Sequence, residues 1–191
     1  MSEETALKFK EAKESLSVAK QALETRERAF LAAVAPQIPS HANELALRLA
    51  KQQPDITKGL GADRVKELRA TIQAAALRAS EDVAGANSQV QWETPTSIYT
   101  VPNAHEVHAA MRSYLRRNVA PEFIAILKEA GFTIPGSAAG PSLGSFYSEE
   151  DVTAEARDLG GALLALAKAE KAVTKAKEAD DDATVNELWG D

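Results

Sequence analysis

The chain has 191 residues, of which 45% are hydrophobic and only 5% aromatic, and it contains no cysteine. This composition is typical of one soluble domain with thin, alanine-rich helix contacts, and it excludes disulfides, thiolate catalysis and cysteine-based zinc or iron–sulfur sites. The formal net charge is −6, with 12 acids against 5 bases in residues 148–191, which disfavours general affinity for nucleic acid or anionic membranes because phosphate binding requires clustered positive charge.

The first predicted element is a long helix within residues 1–35, which ends at Pro36 and has neither glycine nor proline in its interior. On one side of this helix, residues recur at alternating steps of three and four, and alanines repeat there every seven residues. This pattern is typical of a helix that packs along a second helix with closely approaching backbones. The predicted contact stripe, in which Arg26 also takes one position, consists of Phe9, Ala12, Leu16, Ala19, Leu23 and Phe30.

Residues 36–132 are predicted to form a small helical head. Helices are expected near the cap candidates Ser40 and Asn103, after Gly61, and from Pro121 onward. Residues 89–102 instead mix β-branched and aromatic residues with polar ones, which predicts extended chain, either without pairing or as one short strand or hairpin. The predicted fold class is therefore all-α, with at most a minor extended segment.

Residues 133–148 hold 3 Gly, 2 Pro and 4 Ser, which predicts a loop, either a mobile linker or an ordered Ω-like excursion. The loop lacks the lysine and the glycine spacing of phosphate-binding loops. A last long helix is predicted over residues 149–179, with Gly160–Gly161 marking a kink or a place of close approach. Its stripe again follows steps of three and four, and it includes Leu159, Leu163, Leu166 and Val173.

The two terminal helices have matching predicted lengths, and each is too thin in apolar residues to form a domain by itself. We therefore predict that they pair as an antiparallel two-helix coiled-coil stalk, with the helical head at one end. The alternative is that each helix pairs with the same helix of a second chain. A dimer is also compatible with the intramolecular pair.

Residues 180–191 are predicted to form an acidic tail. Val185, Leu188 and Trp189 give this tail an apolar end next to three consecutive aspartates. An acidic segment with a large aromatic anchor is typical of a peptide that docks on another protein. The alternative is a final helical turn folded onto the head or the stalk.

His105, Glu106 and His108 form a candidate metal site of a hydrolase, because two imidazoles and a carboxylate are suitable ligands. Their spacing differs from the H-E-x-x-H motif, and Glu106 has a competing role in capping the helix that follows Asn103. We therefore predict no metal site and no cofactor.

Arg112, Tyr114, Arg116 and Arg117 form a local basic cluster with an interleaved aromatic residue. Such a cluster is suited to contact phosphates and to stack on a base. The competing interpretation is a solvated helix face whose arginines pair with acids, since Arg112 and Arg116 are four residues apart.

The sequence contains no catalytic nucleophile motif, which favours a non-enzymatic protein. The leading hypothesis is an interaction or assembly protein, a scaffold whose partner is another protein or a second copy of the chain. A nucleic-acid-associated factor and a metal-dependent hydrolase are the two alternatives. No apolar run long enough to cross a membrane and no secretory signal are found, which is consistent with a cytoplasmic location.

Overall fold

The computed structural model describes residues 3–95, 104–137 and 140–189, and within these ranges the chain is mostly helical, which confirms the all-α class. In these described ranges six α-helices follow one another: α1 Glu3–Val34, α2 Ile38–Gln52, α3 Pro54–Ala84, α4 Ala104–Asn118, α5 Ala120–Glu129 and α6 Thr153–Trp189. Two 3-10 turns, Ala35–Gln37 and Glu150–Val152, precede α2 and α6. Two two-residue strands, β1 Gly136–Ser137 and β2 Gly140–Pro141, form a small antiparallel hairpin.

The two terminal helices pack against each other, as the sequence predicts. Their relative position is marked by an ion pair between Arg26 Nη1 and Asp158 Oδ2, at 2.9 Å. This contact places the C-terminal part of α1 beside the first turns of α6. The end of α1 and the start of α6 therefore lie side by side, where the chain enters and leaves the segment that contains α2 to α5.

The hydrophobic core lies at this meeting point and extends between α2, α3, α4 and α5. Alanines supply much of the α3 face, so α3 approaches its neighbours closely. Four aromatic or large side chains are among the most completely buried, namely Phe30, Phe123, Phe146 and Tyr147. On α1 the core begins at Phe30, and on α6 it ends at Leu163, while Leu23 packs against its edge.

Two glycines set the direction of the chain. Gly61 has φ 74° and ψ 167° and interrupts α3, so that residues 54–60 form a short separate arm. Gly131 has φ 94° and ends α5, where its N–H donates to Lys128 O and the Phe132 N–H donates to Leu127 O. This bonding pattern is a Schellman motif, which turns the chain back towards the core.

One predicted boundary is wrong, and two predictions that left alternatives open can be compared with the structure. The last helix does not end at Ala179 but continues to Trp189. No glycine or proline lies between Ala179 and Gly190 to end it earlier. The predicted tail 180–191 is therefore helical over its described backbone. For residues 133–148 the structure favours the ordered alternative over a mobile linker, because the segment forms the hairpin and inserts two aromatic side chains into the core. Residues 89–95 form no strand, and the rest of the predicted extended segment, residues 96–102, lies outside the described residues.

Candidate functional site

Beyond the core, one alanine on each terminal helix is more completely buried than the larger residues of the predicted stripe. Ala19 on α1 and Ala169 on α6 are buried, whereas the predicted stripe residues on either side of them are half-buried. Small residues therefore lie at the closest approach of the two backbones, and larger ones lie beside it. The half-buried residues of the predicted stripe are Phe9, Ala12, Leu16, Leu23, Leu166 and Val173.

The α1 stripe changes its phase where the helix enters the core. Arg26, which the sequence pattern places in the contact, has a side chain 52% exposed and reaches Asp158 at the surface. Glu27 is instead the buried residue, with 4% of its surface exposed. A helix of 3.6 residues per turn drifts by about 20° per heptad against a seven-residue repeat, so after three repeats the next position faces inward.

Glu27 holds the segment that follows α3. Its Oε1 accepts a hydrogen bond from the Ser88 backbone N–H at 2.8 Å and another from Trp92 Nε1–H at 3.0 Å. Ser88 has φ 63°, a left-handed conformation that is unfavourable for most non-glycine residues. A buried carboxylate on α1 thus fixes the start of the connection between α3 and α4.

An aromatic cluster surrounds Phe30 on the same side of the core. The ring of Phe30 contacts Trp92 edge-on at a centroid distance of 5.8 Å and Tyr147 at 6.5 Å. His108 lies 6.0 Å from Phe30, and its Nδ1 is 2.9 Å from the Tyr147 hydroxyl. Three distant segments of the chain therefore meet at one ring.

Burial sets the charge of the polar pair in this cluster. Desolvation lowers the pKa of His108, although the Glu149 carboxylate opposes this effect, and it raises the pKa of Tyr147. At neutral pH the pair is an uncharged imidazole and a protonated phenol, joined by a hydrogen bond between Nδ1 of His108 and the Tyr147 hydroxyl. His108 is a structural core residue with a satisfied hydrogen bond.

The predicted metal ligands are not brought together. His105 and Glu106 are exposed, whereas His108 points into the core and binds Tyr147. Within the described ranges, no group of three His, Asp or Glu side chains is arranged to hold a metal ion. The hydrolase hypothesis thus finds no site in this part of the chain.

The basic cluster is divided between the interior and the surface. Tyr114 is only 6% exposed, so its ring offers no free face for a nucleotide base. Arg112 is half-buried and forms an ion pair with Glu149. Arg116 and Arg117 alone of the four have exposed side chains.

An apolar groove of about 300 Å³ lies between α2 and α3. Ala46 and Ala50 make room for it on α2, the floor includes Ile72 and Phe132, and Leu47 at its side is 55% exposed. Such a concave, mainly apolar surface is a common binding-site geometry. Nothing in the sequence pattern of α2 distinguishes this groove from ordinary helix packing.

At the far end of α6, Val185 is 54% exposed. The side chains of Leu188 and Trp189 lie outside the described part of the structure. The docking prediction for these three residues therefore depends on their sequence and on the exposure of Val185.

Comparison of the chain with protein-family models, curated proteins and solved structures gives no match. In the described ranges, none of the helices combines the length and the apolar character needed to cross a bilayer.

The sequence pattern does not identify three residues that join distant segments around Phe30, namely Glu27, Trp92 and Tyr147. A glutamate next to a predicted stripe position was the one available signal.

Proposed function

We propose that the protein is a non-enzymatic interaction or assembly protein, in which α1 and α6 form an antiparallel coiled-coil stalk that carries the helical head. The observation that supports this proposal is the burial pattern beyond the core. From Thr5 to Ala22, roughly 27 Å of helix at ~1.5 Å per residue, α1 has its half-buried and buried positions in a seven-residue pattern that α6 repeats.

The register of the proposed stalk follows from the Arg26–Asp158 ion pair. Counting outward by equal numbers of residues from this ion pair on two antiparallel helices brings Leu16 within one residue of facing Ala169, and Ala19 within one residue of facing Leu166. Each large residue then faces an alanine, which allows two helices to pack closely without an aromatic core. The alternating large and small residues support an antiparallel pairing within one chain.

Cysteine pairs test this register in a chain that has no native cysteine. We expect Leu16→Cys with Ala169→Cys to form an intramolecular disulfide under mild oxidation, because facing seam positions bring the two sulfur atoms within bonding distance. The measurement is electrophoretic mobility without reductant, supported by peptide mapping. Ala22→Cys with Ala165→Cys is the matched control, since both residues are exposed and are expected to remain thiols. A disulfide between two chains in the first variant would instead support pairing of the helix with a second copy.

The interaction itself is proposed to use surfaces at both ends of the molecule. The head offers the apolar groove beside Leu47, and α6 offers Val185 next to Asp181 and Asp182. An apolar side chain flanked by acids is suited to a partner with an apolar pocket and a basic rim. The predicted docking residues Leu188 and Trp189 extend that end by sequence.

Partner capture tests the interaction hypothesis. We expect the full-length protein, crosslinked in lysate, to retain a partner that Leu47→Asp or Val185→Asp loses, because each change places a charge on an exposed apolar contact. Quantitative mass spectrometry of the captured proteins is the measurement. Leu77→Asp is the matched control, since Leu77 is 51% exposed on α3 but does not line the groove. Identical partner sets for all four proteins would contradict the proposal.

A further inference from the structure

A second concave surface lies where the C-terminal half of α4 meets the loop before α6. It is a cleft of about 240 Å³, lined on one side by Arg112 and Arg116 and on the other by Ser142 and Gly144. The basic cluster and the Gly/Pro/Ser loop are separate features in the sequence, and the fold brings them to the same cleft. Leu115, Leu143 and Phe146 complete its wall.

The polar groups that line this cleft are mainly hydrogen-bond donors. Arg116 is exposed, and no described residue forms an ion pair with it. Arg112 binds Glu149 through Nη1, which leaves its other N–H groups available. The Ser142 hydroxyl oxygen accepts a hydrogen bond from the Gly144 N–H at 3.3 Å, so its O–H remains a donor for a ligand.

The charge of the cleft favours an anion. No carboxylate is among its described lining residues, and Glu149, which lies beside Arg112, is already paired with that arginine. Guanidinium groups bind phosphate oxygens with two parallel hydrogen bonds, and a hydroxyl donor fits a third oxygen. The apolar wall is suited to contact a compact carbon skeleton attached to that phosphate.

We propose that this cleft binds a small phosphate monoester, with Arg116 as the principal phosphate ligand, Ser142 as a second donor, and Phe146 and Leu143 in contact with the organic part. This binding site is independent of the proposed stalk and of the apolar groove. The proposal assigns Arg116 a role that does not require nucleic acid.

The test is a titration of the full-length protein with phenyl phosphate, followed by amide chemical shifts in NMR spectra and by calorimetry. We expect saturable shifts at Ser142 and Gly144 with a dissociation constant on the order of 1 mM, since a few charge-assisted contacts at a partly exposed site give weak binding. Arg116→Ala is expected to weaken binding roughly tenfold, and Ser142→Ala to weaken it by a smaller factor. Unchanged circular dichroism would show that each variant is folded.

Arg117→Ala is the matched control, because Arg117 is adjacent in sequence and exposed but does not line the cleft. Its affinity for phenyl phosphate is expected to equal that of the unmodified protein. Equal losses in the Arg116 and Arg117 variants would indicate a diffuse positive surface and would overturn the proposal. Equal affinity for benzoate would overturn the assignment to phosphate. Tighter binding of a short single-stranded oligonucleotide that depends on both arginines would favour nucleic acid instead.

Discussion

Replacing Glu27 with alanine is expected to lower the free energy of unfolding by about 3 kcal/mol, because two part-buried N–H groups then lose their hydrogen bonds to a buried carboxylate. The Ser88 N–H and the Trp92 indole N–H both bind Glu27 Oε1. Ser88 also loses the bond that favours its left-handed conformation. Urea denaturation followed by far-ultraviolet circular dichroism measures the change, and tryptophan fluorescence reports the surroundings of Trp92.

Glu24→Ala is the matched control for this prediction, since Glu24 is on the same helix, is exposed and pairs with Arg28. Its expected effect is within about 0.5 kcal/mol, as for most surface ion pairs. Glu27→Gln is expected to recover more than half of the loss, because the amide oxygen accepts the same two bonds. If Glu24→Ala and Glu27→Ala cost the same free energy, Glu27 does not anchor the connection.

Phe30→Ala is expected to cost about 3–5 kcal/mol, the usual range for removing a fully buried aromatic ring. Phe30 is completely buried, and its ring contacts Trp92, His108 and Tyr147. The cavity would therefore remove contacts from three other segments at once. The free energy of unfolding from denaturant titration measures this loss.

Phe9→Ala provides the same chemical change on the same helix in a different environment. Phe9 is half-buried, and its ring contacts the Lys13 ammonium at 4.1 Å. Its loss is expected to cost about 1 kcal/mol, since less apolar surface returns to water and no closed cavity forms. Similar costs at both positions would show that the terminal helices are as well packed outside the core as inside it.

The sequence predicts the long helices well because their periodicity extends over many turns. The alternation of three and four residues predicts that the two terminal helices pack on each other, as they do, and Pro36 marks the end of the first helix. It does not identify Glu27, since a single charged residue inside an apolar stripe is normally exposed. The small drift of the helix against its repeat decides between Arg26 and Glu27, and that drift depends on where the neighbouring helix lies.

The candidate surfaces are less predictable. The loop composition of residues 133–148 indicates flexibility, yet Phe146 and Tyr147 are among the most buried residues of the protein. Their burial depends on a space between α1, α4 and α5 that only the assembled helices define. The cleft at Arg116 and the groove at Leu47 likewise arise where separate elements pack together, for which the pattern within one element has no signal.

The packing of the first helix on the last has a consequence for synthesis in the cell. At about 5–20 residues per second, a ribosome adds the residues between the end of α1 and the start of α6 in roughly 6–25 s. During that interval the apolar side of α1 is not yet covered by α6, and the ring of Phe30 has not yet formed its contact with Tyr147. We expect the nascent chain to reach its native state only after most of α6 has emerged from the ribosome. Termination of synthesis before Thr153 would therefore leave the apolar face of α1 exposed and prone to aggregation, and would not give a shorter functional domain.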